Sequence, residues 1–229
     1  MTRRNITICF IIAALCIAAA PIQAAMNALT PAEKAAGWRL LFDGKTFNGW
    51  QATGDMKGWA VQDGCIENLV KGGHYLASND TYGNFKLALE FKIEKGCNSG
   101  VFFRWANLSD PVQRGIEIQI LDSYGNDKPG RNDCAAIYDC LAPRVQACKP
   151  AGEWNKLVLT CRNNLICIDM NGRRVLYMNL DRWTTAHENP DGSRNKFNTA
   201  YKDMPRSGYI GFQDHGHKVW FRNIKIKAL

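Results

Sequence analysis

The feature that most restricts what this chain can become is a two-residue hydrophobic alternation, carried in short runs that turn residues interrupt. Phe85-Lys86-Leu87-Ala88-Leu89-Glu90-Phe91-Lys92-Ile93 places an apolar side chain at every odd position, the period of a half-buried strand. Ile116-Glu117-Ile118-Gln119-Ile120 repeats it, with Ile on one face and Glu and Gln on the other. The runs 154–160, 165–170 and 173–178 read as a meander joined by Arg162-Asn163-Asn164 and Asn171-Gly172. Asn-Gly is a strong two-residue hairpin signal. The run 101–103 reads as the hairpin partner of 85–93, and 209–213 with 219–227 as a closing hairpin. Shorter strands are expected at 38–42, 59–61, 65–68 and 75–77, and only 31–36 reads as helix. About a dozen strands at regular spacing mean a sandwich or barrel. The expected class is all-β, a two-sheet jelly-roll sandwich.

Length fits this reading, since 229 residues suit one large β domain whose core is well buried without covalent staples. The first residues stand apart. Arg3 and Arg4 precede an apolar run over 6–20, Pro21 breaks it, and Ala24 and Ala25 follow. This is the layout of a secretory signal, so 1–24 is expected to be removed and 25–229 to be the exported domain, periplasmic or secreted. The run is shorter than the ~20 residues a membrane helix needs, so the mature chain is expected to carry no membrane span. The formal charge is +8, or +6 without Arg3 and Arg4. The basic residues are scattered and accompany no nucleic-acid motif, so a solvated basic surface is expected, not a nucleic-acid partner.

Nine cysteines include Cys9 and Cys16 of the leader, leaving seven, an odd number. A bridge among Cys134, Cys140 and Cys148 fits an exported chain, and Cys161 and Cys167 are placed to face each other across a hairpin. Neither set has zinc-ligand spacing. The stretches 122–150 and 184–206 are long and rich in turn residues, and such loops often carry function.

Three local patterns could carry chemistry. On a strand, Glu117 and Gln119 share a face, roughly 6–7 Å apart. Asp122 falls on the opposite face unless a bulge redirects it. An acid there can move a proton on a sugar, or it can be ordinary strand surface. Gln213-Asp214-His215-Gly216-His217 places His, a proton carrier and metal ligand, between two strands; a plain polar turn is the alternative. Arg104 ends an apolar strand and must find a partner, with Glu117 the natural one. Trp105, Tyr124 and Tyr138 lie beside these loops as candidate stacking surfaces for a sugar. Trp38, Trp50, Trp59, Trp154 and Trp220 fit the core.

In order, Leu41-Phe42-Asp43-Gly44 to Asn48-Gly49-Trp50, Asn98-Ser99-Gly100-Val101-Phe102-Phe103-Arg104, Gly115 to Asp122, Ala135-Ala136-Ile137-Tyr138, Pro150 to Asn155, and Gln213-Asp214-His215-Gly216 followed by Phe221-Arg222-Asn223-Ile224 resemble the 3-keto-disaccharide hydrolase domain family. The resemblance implies a concanavalin A-like sandwich and a hydrolase or lyase acting on 3-keto-glycosides, by loss of the C2 proton and elimination at C1. It implies Glu117, His215 and Arg104 as catalytic residues, and Gln119, Asp122, Tyr138, Gln213, Trp105 and Tyr124 at the substrate. A divalent metal held by Glu117 and His215 would serve such chemistry. Where the family usually has glycine this chain has Ala135. Gln119 stands where laminarinase-like glucanases place an acid, which argues against their two-carboxylate mechanism. The alternative is a non-catalytic, lectin-like carbohydrate-binding module, since the fold serves both.

Overall fold

A computed structural model of the chain describes residues 25–72 and 74–229, so the expected leader 1–24 lies outside the described residues. The described residues form thirteen strands in two antiparallel sheets. They are β1 (Arg39–Leu40), β2 (Trp50–Ala52), β3 (Trp59–Gln62), β4 (Cys65–Asn68), β5 (Tyr75–Ser78), β6 (Phe85–Ile93), β7 (Asn98–Trp105), β8 (Ile116–Leu121), β9 (Asn155–Arg162), β10 (Leu165–Met170), β11 (Arg173–Asn179), β12 (Tyr209–Gln213) and β13 (Val219–Ala228). The larger sheet runs β11-β10-β9-β6-β13-β4-β3, with β1 also on β13; the smaller runs β2-β5-β12-β7-β8. This is the expected all-β two-sheet sandwich. Among the described residues helix is confined to short pieces such as α1 (Pro31–Ala35), closed by a Thr30–Glu33 capping box, and α2 (Pro111–Arg114). Among the described residues no helix is long and apolar enough to cross a membrane.

The alternation read along the strands fixes the layers. Leu87, Leu89, Phe91 and Ile93 of the larger sheet face Val101, Phe103, Ile116, Ile118 and Ile120 of the smaller in one buried core. Phe212 of β12 stacks on Phe221 of β13, centroids 4.0 Å apart, and Trp50 stacks on Phe212 at 5.1 Å. Each such side chain contributes about 1.5–3 kcal/mol on burial.

Two expected hairpins are instead crossings between layers. β6 pairs with β9 and β13, while β7 pairs with β8 and β12. Likewise β12 belongs to the smaller sheet and β13 to the larger. The physical reason is that both members of each pair bury an apolar face. Packed face to face across the core they bury both at once. The meander β9-β10-β11 forms as expected. Cys161 and Cys167 do not face each other: Cys161 pairs with Ile166 and Cys167 with Thr160, so the two thiols point to opposite sides of the sheet. Trp50 and Trp59 are core, whereas Trp38, Trp154 and Trp220 are half-exposed. Trp154 lies under the Arg222 guanidinium at 3.8 Å, and Lys92 sits over Trp220 at 4.6 Å.

Candidate functional site

The outer face of the smaller sheet carries the polar candidates. Cross-strand register puts Tyr75, Gln213, Gly100 and Gln119 in one row, and Ala77, Gly211, Phe102 and Glu117 in the next. Glu117 and Gln119 therefore share a face, as the alternation predicts. They are buried rather than solvent-facing, at 8 % and 2 % exposure. Cover comes from 135–138, which runs along the edge of β8. Gln119 N–H donates to Ala136 O at 2.9 Å, Ala135 N–H to Gln119 O at 2.8 Å, and Tyr138 N–H to Glu117 O at 3.0 Å. Ala135 holds φ +71°, a left-handed conformation that glycine adopts at least cost.

Glu117 leans out of its own row across Gly100, where a β-carbon would overlap its Oε1. No hydrogen bond to a described residue satisfies this carboxylate. Burial pushes it from an ordinary 4.5 to about 7, opposed by the charge of Lys196. Lys196 lies 4.1 Å over the Tyr138 ring, and its backbone N–H donates to Asp139 Oδ2 at 2.8 Å. On the other side of Gly100, Gln213 Nε2 reaches Tyr75 Oη at 3.4 Å. Gln213 Oε1 is buried without a donor among the described residues, which costs roughly 1–3 kcal/mol unless a ligand or water supplies one. Burial raises the Tyr75 hydroxyl above its usual range, the Gln213 hydrogen bond opposes that, and the Glu117 charge adds to it. Gln119 Nε2 donates to Asn98 Oδ1 at 3.0 Å.

Two long loops are tied together beside this cluster. Arg131 donates to Ser193 Oγ and pairs with Asp191, and Asn189 Nδ2 donates to Asp139 O at 3.1 Å. The loop 184–206 thereby delivers Lys196.

The structure brings Glu117, Gln119, Gln213 and Tyr138 together, and adds Tyr75 and Lys196. It separates others. β7 carries one extra residue between its Tyr209↔Trp105 and Gly211↔Phe102 pairs, and Arg104 there has φ +48°. This bulge turns Arg104 away from Glu117. Its guanidinium instead holds the carbonyls of Gly83, at 3.1 Å, and Asn163, at 2.7 Å. The same bulge puts Trp105 on the site face, but fully buried against Tyr75 and Phe102 and over Gly211, so it offers no open ring to a sugar. Asp122 accepts from Gly96 N–H at 2.8 Å and braces the β6–β7 turn. Tyr124 is exposed beyond the end of β8. His215 lies on the exposed turn after Gln213, at the rim of this sheet, and no hydrogen bond joins its ring to Glu117. Asp214 next to it receives Asn68 and Gly216. Among the described residues no group of three or more His, Cys, Asp or Glu side chains is arranged to hold a metal ion.

Residues 37–227 match the 3-keto-alpha-glucoside-1,2-lyase-like domain. The chain belongs to that family. A 3-keto-disaccharide hydrolase of Bacteroides thetaiotaomicron is 31 % identical over 90 % of this chain and 83 % of its own length. A candidate glycosyl hydrolase of Parabacteroides distasonis is 35 % identical over 84 % of this chain and 99 % of its own, with a TM-score of 0.77. A second from that organism is 28 % identical over 90 % of this chain and 100 % of its own, at a TM-score of 0.74. Membership in this family makes the chain a carbohydrate-active protein of the 3-keto-disaccharide hydrolase type.

Proposed function

We propose that this protein cleaves 3-keto-glycosides, with Glu117 as the base that removes the C2 proton. The observation that supports this most is a buried carboxylate whose pKa is raised to about 7, placed over a glycine on the sheet face and without a hydrogen-bond partner among the described residues. A base is most effective when its pKa lies near the working pH. An ordinary exposed glutamate would be a weaker base toward a carbon-bound proton.

A ketone at C3 acidifies the C2 proton. Glu117 takes that proton and the electron pair moves to the C3 oxygen as an enediolate. The Lys196 ammonium is the cation that acts on this region, and the Tyr75 hydroxyl is a donor there; both favour the developing oxyanion. The enediolate collapses, the C1–O bond breaks, a C1=C2 double bond forms, and the departing alkoxide takes a proton from a water to leave as the alcohol. The hydroxide so formed adds at C1, and Glu117 returns its proton to C2, which completes net hydrolysis. Gln213 Oε1 accepts a ring hydroxyl and Gln119 orients another. No step is routed through a metal.

The test is release of the aglycone from a 3-keto-glucoside beside the ordinary glucoside, before and after chelation of divalent ions. Release from the keto substrate alone, lost in Glu117→Gln, supports the proposal. Binding of both sugars without release from either would make the protein a lectin-like module instead. Activity abolished by chelation and restored by a divalent ion would overturn the metal-free route.

A further inference from the structure

The stretch 122–150 contains three cysteines, and two of them meet. Cys134 is buried, Cys148 is half-buried, and each thiol acts on the ionisation of the other. Both gather around Ser123. Its Oγ accepts the Cys134 N–H at 3.1 Å. Gln146 Nε2 donates to Ser123 O at 3.4 Å and to Cys148 Sγ at 2.9 Å. Cys140 points elsewhere, to the buried Tyr201 hydroxyl.

We infer that Cys134 and Cys148 are a redox modification site, a thiol pair that closes to a disulfide and pins the loop carrying Tyr138 against the edge of β8. The inference does not depend on the proposed reaction. Cys148 is the more accessible of the two. Hydrogen bonds from Cys134, Ser123 and Gln146 favour its thiolate, while Cys134 is held protonated by its partner and by burial. An external disulfide, such as glutathione disulfide or that of a thiol-oxidising protein, is the oxidant. The Cys148 thiolate attacks one of its sulfurs and releases one thiol. Cys134 then attacks Cys148 Sγ in the mixed disulfide and releases the second. Two electrons pass to the oxidant, and the two cysteine protons leave on the two released thiols. The bond closes a ring of about 15 residues that includes 135–138.

The full chain, produced under oxidising conditions and alkylated without reduction, is digested and weighed. A cross-linked peptide pair containing Cys134 and Cys148 is expected, with Cys140 alkylated. Dithiothreitol should then lower the melting temperature by about 5–10 °C. That drop should vanish in the Cys134→Ala/Cys148→Ala variant and persist in Cys140→Ala. Alkylation of both Cys134 and Cys148 after incubation with glutathione disulfide, or a bridge from either to a different cysteine, would overturn the inference. The mass measurement on the unmutated chain decides even where the double variant does not fold.

Discussion

The Glu117 carboxylate occupies the space that a side chain at Gly100 would fill. The two residues lie on adjacent paired strands, one row apart, so the acid is aimed by an absence on its neighbour. Gly100→Ala should leave the fold intact and displace the carboxylate. A misplaced catalytic group costs on the order of 10²-fold, so kcat should fall by about that factor with little change in melting temperature. Adding Gly100→Ala to Glu117→Gln should cost almost nothing more, because the two act through one group. Additive losses in that steady-state comparison would separate the glycine from the acid.

Glu117 predicts a specific pH dependence. A base held near 7 makes kcat/KM rise through that pH and level above it. Lys196→Met removes the charge that opposes the upward shift, so the rising limb should move to higher pH. An unmoved limb would detach Lys196 from the site.

Stability should respond in the opposite sense. The carboxyl of Glu117 binds its proton more tightly folded than unfolded, so its contribution is present at low pH and fades as pH rises from 4.5 through about 7. Glu117→Gln should therefore be more stable than the parent at pH 8, by about 3 kcal/mol, and nearly equal to it at pH 4. Denaturant melts at the two pH values check this.

Arg104 should behave as a structural residue. Arg104→Met strands the carbonyls of Gly83 and Asn163, and should cost about 2–4 kcal/mol of stability. KM and kcat of the folded fraction should stay close to the parent. A selective loss of kcat at unchanged stability would return Arg104 to the chemistry.

Ala135 carries a conformational cost at φ +71°. Ala135→Gly should stabilise by about 1 kcal/mol, seen as a higher denaturant midpoint.

The strands and their faces were legible because burial of one face imposes a period of two on the residues themselves. That is why β6, β10 and β12 appear with the bounds their alternation marks, and why Glu117 and Gln119 sit together. Which strands pair was less legible. The turn at Gly96 and the turn at Gly216 look alike whether the flanking strands hydrogen-bond or separate into different sheets. Arg104 was misdirected by one inserted residue, since strict alternation puts it beside Glu117 and the bulge reverses it. Tyr75 read only as part of a short strand, and its place beside Gln213 depends on a pairing of strands far apart in sequence. Lys196 lies in a loop with no period, delivered by contacts such as Arg131 with Asp191 that no local pattern announces.

The tie between 122–150 and 184–206 divides the labour of this chain. The polar cluster around Glu117 is anchored in β7, β8 and β12, whose inner faces are the core and tolerate little alteration. Beside it lie two surface segments held to each other by a few polar clasps. On the proposed chemistry, rewriting those segments should change the saccharide accepted while leaving the acid and its glycine untouched.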